Sequence, residues 1–139
     1  MQGLEGVKVL ELGHMVSASY ATKLMADLGA EVVKVEEPTG DLARQRGPFP
    51  GGVADPEKSG LFLYLNTNKR GVTLDLRQQR NELARLVSWA DILVHNYSPA
   101  QMADLGIAYD AFRSINPQLV MCSVTPFGLT GPYKDYKAY

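Results

Sequence analysis

The chain is poor in the residues that carry redox and metal chemistry. It has one cysteine, Cys122, and two histidines in 139 residues. A single cysteine forms no internal disulfide, and one cysteine with two scattered histidines offers no metal-ligand spacing, so no metal is expected. Cys122 lies inside the apolar run Leu119 to Val124 and reads as a buried strand residue rather than a reactive thiol. Charge of one sign is also lacking: 14 Lys and Arg stand against 15 Asp and Glu, a net charge of −1. That balance supplies neither a basic patch for nucleic acid nor an acidic tail for a basic partner. No apolar run approaches the roughly 18 residues of a membrane span. The opening Met1-Gln2-Gly3-Leu4-Glu5-Gly6 lacks the basic and apolar regions of a signal peptide. Neither nucleic acid nor membrane is expected as a partner, and the cytoplasm is the expected compartment. Ser17 and Ser19 have no Gly-x-Ser-x-Gly setting, which argues against a serine hydrolase.

What is present is alternation. Val7 to Leu12 is a short apolar run of strand character. Gly13 to Ser19 is a loop of small and polar residues. From Ser19 to Leu28 the apolar positions Tyr20, Ala21, Leu24, Met25 and Leu28 predict a helix lying on a sheet by that stripe. Gly29 stops it, and Glu31 to Val35 is a second β-rich run. This is a parallel strand–helix–strand unit with a right-handed crossover. Val72 to Leu76, Gln78 to Ala90 and Asp91 to His95 repeat the pattern. Ser98-Pro99 opens a short helix ending at Gly106, Asp110 to Ile115 is another, and Leu119 to Val124 is a further strand. Residues 42–60, rich in proline and glycine, are a long connection without regular structure; Leu61 to Leu65 is a helical turn or an extended piece. The class is α/β: a Rossmann-like, mainly parallel sheet with helices on both faces, one domain over residues 1–139.

In such sheets ligands gather at the carboxyl ends of the strands. The loop after the first strand, Gly13-His14-Met15-Val16-Ser17, and Glu36 after the second are therefore candidates. The spacing from Gly13 to Glu36 is near the roughly 20 residues between glycine turn and ribose acid in dinucleotide sites. The loop has a single glycine, however, and without G-x-G-x-x-G the backbone cannot hug a pyrophosphate in the NAD manner.

The motifs have a family likeness. LEGVKVLELG, DLGAEVVKVE, Gly40-Asp41-x-x-Arg44, Asn66-x-Asn68-Lys69-Arg70-x-x-x-Leu74-Asp75-Leu76, ADILVHNYSP, LVMCSVTPFGLTGPY and a final Lys137-x-Tyr139 occur in this order. The sequence so resembles the N-terminal part of the family III CoA-transferases, which include formyl-CoA transferase, the carnitine CoA-transferases and α-methylacyl-CoA racemase. The resemblance implies coenzyme A as cofactor, bound as an acyl-CoA substrate, a carboxylic acid as the second substrate, and a homodimer or a complementing C-terminal chain as partner. It implies that a nucleophilic aspartate lies beyond Tyr139 and that the 139 residues alone are inactive, a truncated portion of a two-domain fold. It places Met15, Val16 and Ser17 along CoA, His14 in the same loop, Leu74 near the adenine, Asn96 and Tyr97 as the CoA-contacting Asn-aromatic pair after the fourth strand, and Lys69 and Arg70 facing an anion. Lys137 and Tyr139 would lie near the pantetheine, Tyr139 as an active-site neighbour. The family's racemases carry a histidine where Tyr139 stands; a tyrosine of ordinary pKa near 10 is a poor base, which favours the transferase reading over the racemase. A non-catalytic piece that binds CoA or a partner chain is the other alternative. The chain departs from the family at Ala18-Ser19-Tyr20, where a glycine and proline are usual, at Glu37-Pro38, and at Asp104, where many members have arginine.

Overall fold

The computed structural model describes residues 3–136. Five strands, β1 (Lys8–Leu12), β2 (Glu31–Glu36), β3 (Arg70–Thr73), β4 (Ile92–His95) and β5 (Val120–Ser123), form one sheet. Its order is β3-β2-β1-β4-β5 and every pairing is parallel. The connecting helices are α1 (Ser17–Asp27), α2 (Gly60–Leu65), α3 (Arg80–Trp89), α4 (Pro99–Leu105) and α5 (Tyr109–Arg113).

Side chains alternate across each strand, so each face has its own core. On one face Leu10, Leu12, Val35 and Leu93 pack with Leu83 and Val87 of α3, Met102 of α4 and Phe112 of α5. On the other, Val9, Val32 and Val94 pack with Ala18 and Ala26 of α1. The helix ends follow their sequence signals. Ser98 accepts from the Gln101 amide while the Gln101 side chain accepts from the Ser98 amide, a capping box, and Pro99 occupies the first turn. Gly29, at φ 100°, takes the left-handed conformation just beyond α1.

Of the expected inward stripe of α1, Met25 packs against the core but the larger part does not. Tyr20, Leu24 and Leu28 are 42%, 45% and 54% exposed, whereas Ala18, Ser19, Thr22 and Ala26 are buried. The cause lies in the strands beneath. Glu11 and Lys34 are register partners and both point at α1. A buried charge pair needs hydroxyls, which Ser19 and Thr22 supply and a leucine stripe would not. A second correction concerns Cys122, which is exposed. It sits on the edge strand β5, and the α1 face of the sheet is uncovered there, leaving Val120 61% exposed. The strand expected at Val72–Leu76 runs instead over Arg70–Thr73, and Leu74 and Leu76 continue it as buried, irregular chain. Residues 42–60 hold two short 3-10 turns, Leu42–Gln45 and Pro50–Gly52. Ser59 closes this connection: its buried hydroxyl lies 2.7 Å from the Ala43 carbonyl and caps α2 by accepting from the Phe62 amide.

Candidate functional site

The chain leaves β1 for β2 and β3 on one side, then returns to β4 on the other, so the strand order reverses between β1 and β4. At such a switch point the two loops diverge and open a crevice at the carboxyl ends. Here those loops are Gly13 to Val16 and Asn96 to Ser98.

Asn96 ties them together. Its Oδ1 accepts from the His14 amide at 2.9 Å, and its Nδ2 donates to the His14 carbonyl at 2.7 Å and to Ser17 Oγ at 3.1 Å. His14 Nε2 lies 3.1 Å from the Tyr97 hydroxyl, and the two rings meet edge to face at 5.3 Å. The predicted candidates His14, Ser17, Asn96 and Tyr97 thus form one connected group. Burial lowers the pKa of His14 and raises that of Tyr97, so the imidazole and the phenol are both neutral at pH 7. His14 Nδ1 is buried and has no hydrogen-bond partner among the described residues. Val16, at the start of α1, is 48% exposed. Beside Asn96 a cavity of about 480 Å³ is lined by Asn96, Ser98, Gln101, Thr125, Lys134 and Tyr136.

Gly13 is required by close approach. A Cβ there would stand 2.5 Å from the Ala18 Cβ and 3.4 Å from Asn96 Oδ1. The loop and helix can be this near only where residue 13 has no side chain.

Under the loop lies a buried group of four charges, of which Glu11 and Lys34 belong to none of the candidate site residues. Lys34 Nζ is 2.7 Å from Glu11 Oε1 and 2.7 Å from Asp41 Oδ2, and donates to the Gly13 carbonyl at 3.0 Å. Lys69 Nζ is 2.8 Å from Glu11 Oε2 and donates to the Ser19 carbonyl at 2.7 Å and Asn66 Oδ1 at 2.9 Å. Ser19 and Thr22 donate to the two Glu11 oxygens. All four charged side chains are 2% exposed or less. Burial alone would raise the pKa of Glu11, but the two ammonium groups outweigh it and hold the carboxyl below its usual range. Burial likewise pushes Asp41 up and Lys34 down, and in each case the opposite charge prevails. For Lys69 burial wins and the pKa is lowered. The signal for this group was in the sequence: a lone acid at 11 and a lone lysine at 34, each flanked by apolar strand residues.

Lys69 therefore faces an internal carboxylate, its three donors used, rather than an external anion. Arg70 opens β3 and pairs at 2.8 Å with Glu31, which opens β2, so it lies at the amino ends of the strands, opposite the crevice. Leu74, just past the carboxyl end of β3, is 3% exposed and lines a groove of about 520 Å³ with Val72, Leu86 and Trp89. Glu36 is engaged: its oxygens accept from Arg44 Nε at 2.7 Å, Arg44 Nη2 at 2.9 Å and the Asp41 amide at 3.0 Å. Glu36 is therefore not free to receive a ribose, a second argument against the dinucleotide reading. Asp104 pairs with Arg77 on the surface. Lys137 and Tyr139 lie outside the described residues. No cluster of three or more His, Cys, Asp or Glu side chains able to hold a metal occurs among the described residues, and no helix there is long and apolar enough to cross a membrane.

The family profile of CoA-transferase family III matches residues 4–139. A formyl-CoA:oxalate CoA-transferase of Streptomyces avermitilis is 42% identical over 142 residues, covering 99% of this chain and 33% of that protein. A succinate–glutarate CoA-transferase of Agrobacterium fabrum is 38% identical, over 98% of this chain and 35% of that protein. A CaiB/BaiF family protein from Brucella suis superposes with a TM-score of 0.88 at 36% identity, covering 99% of this chain and 37% of that structure. The chain spans about a third of the length of these curated relatives.

Proposed function

Since the chain belongs to CoA-transferase family III, we propose that it forms the CoA-binding portion of an enzyme that moves CoA from an acyl-CoA to a carboxylic acid. The observation that carries this reading is the Asn96 clamp. It joins the loops after β1 and β4 at the switch point and leaves the exposed Val16 and the adjoining cavity at the crevice. Thioester cleavage by this route needs a free carboxylate as nucleophile, which attacks the acyl carbon as the CoA thiolate leaves. Glu11, Glu36 and Asp41 are each committed to a cation, so none of them is that group. The family resemblance assigns the task to an aspartate outside these 139 residues. The role left to this chain is to bind and orient, with an apolar loop surface at Val16 and a cavity beside Asn96 that Lys134 lines. The outward stripe of Tyr20, Leu24 and Leu28 supports a second chain, or a second copy, as partner.

The test is isothermal titration of CoA into the folded 139-residue chain, with NAD as control. Saturable CoA binding without NAD binding is expected. No CoA binding by a protein shown to be folded overturns CoA binding by this chain, and NAD binding overturns its selectivity for CoA.

A further inference from the structure

The loop from Gly13 to Met15 is held at every residue by a side chain from a different element. The Gly13 carbonyl accepts from Lys34 of β2, the His14 amide and carbonyl both bond Asn96 beyond β4, and the Met15 amide donates to Asp41 Oδ1 at 3.0 Å. Met15 has φ 57°, a left-handed conformation that a residue with a side chain adopts only when its surroundings impose it. Asp41 is 2% exposed and is itself fixed, by the Ala43 amide at 2.7 Å and by Lys34. Behind it Glu11 holds Lys34, and Lys69 balances Glu11.

We infer that Asp41 is a positioning residue for the ligand crevice: backed by Lys34 and Glu11, it holds Met15 in its left-handed conformation and so sets the shape of loop 13–16 before any ligand arrives. A loop already ordered loses less freedom on binding, so the arrangement favours affinity. The cluster is also the kind that stability alone does not explain, because buried ion pairs seldom stabilise more than apolar residues of the same volume.

The inference rests on the CoA reading for its functional half and is independent of it for its conformational half. Two readouts keep them apart: amide hydrogen exchange at Met15, and CoA affinity by titration. Asp41→Ala removes the acceptor. The Met15 amide is expected to exchange at least about tenfold faster and CoA to bind about tenfold more weakly, the equivalent of one hydrogen bond to a charged acceptor. Met15→Gly separates positioning from general structural support, because glycine enters the left-handed region freely. In that background Asp41→Ala is expected to cost less than half as much affinity, on a logarithmic scale, as in the parent. An equal loss in both backgrounds would make Asp41 a structural residue only. Should Asp41→Ala not fold, Asp41→Asn takes its place: Oδ1 still accepts, but Nδ2 faces the Lys34 ammonium, and Met15 exchange is expected to rise at least about threefold; parent-like exchange in whichever of the two variants folds overturns the inference. If the parent chain binds no CoA, the proposed function fails while the exchange result still decides the role of Asp41.

Discussion

His95 gives a pH dependence whose sign and size follow from its surroundings. The ring is fully buried at the carboxyl end of β4. Nδ1 accepts from the Tyr97 amide at 3.2 Å, which places the proton on Nε2, 2.6 Å from Ser123 Oγ. Among the described residues no carboxylate faces it, and burial lowers its pKa from 6.5 to about 4. In the unfolded chain the imidazole takes up a proton as pH falls through 6.5; in the folded chain it stays neutral until about pH 4. Between these values the unfolded state binds more protons, so stability is full above pH 6.5 and declines as pH drops toward 4. At roughly 1.4 kcal/mol per pH unit the loss amounts to about 3 kcal/mol by pH 4. His14, also lowered by burial, acts in the same direction. The lowered carboxyls of Glu11, Glu36 and Asp41 also lose stability on acidification, but through their own, more acidic range. Urea unfolding from pH 7.5 to 5 therefore isolates the two histidines. The His95→Gln variant is expected to flatten most of that slope, and His14→Gln a smaller part. An imidazole of His95 that titrates by NMR near 6.5 in the folded chain, or an unchanged slope in His95→Gln, would refute the reasoning.

Two further perturbations have clear directions. Gly13→Ala forces a methyl group into Ala18 Cβ, 2.5 Å away, so the loop must move off α1 and its bonds to Asn96 are strained; loss of about 1–3 kcal/mol of stability is expected by denaturant unfolding, with faster exchange at the His14 amide. Glu11→Ala leaves two ammonium groups buried without their shared partner, and about 3–5 kcal/mol of destabilisation is expected in the same assay, enough to unfold a marginal domain.

Periodicity was a good guide to the elements and a poor one to the faces. The two strand–helix–strand units, the Ser98 cap and the stop at Gly106 are local properties, written in residues next to one another. The inward face of α1 is not local. It is decided by Glu11 and Lys34, which are distant in sequence and adjacent only once β1 and β2 pair. Tyr20, Leu24 and Leu28 look like a core stripe until the sheet beneath is seen to be charged. The exposure of Cys122 has the same origin: its strand reads as buried, and only the sheet order shows that it is an edge. That His14, Ser17, Asn96 and Tyr97 would meet was legible, because loops at the carboxyl ends of parallel strands converge by topology. The surroundings of Lys69 and Arg70 were not, since a pair of adjacent cations says nothing about which strand end they occupy.

The same two strand positions also explain why the loop after β1 needs so little glycine. In dinucleotide folds the corresponding turn is shaped by glycines that let the backbone bend and approach. Here Gly13 alone provides close approach, and the left-handed bend falls on Met15, a residue that does not favour it. Side chains substitute for the missing glycines: Lys34, Asn96 and Asp41 each bind a backbone group of the turn. Such side chains must be charged or strongly polar, and burying them requires balance, which Glu11 and Lys69 provide. A leucine pair at positions 11 and 34 would pack β1 against α1 with less desolvation. It would also leave Asp41 and Lys69 buried without an opposite charge and the Gly13 carbonyl without a donor, so the turn would lose its shape even where the sheet gained stability.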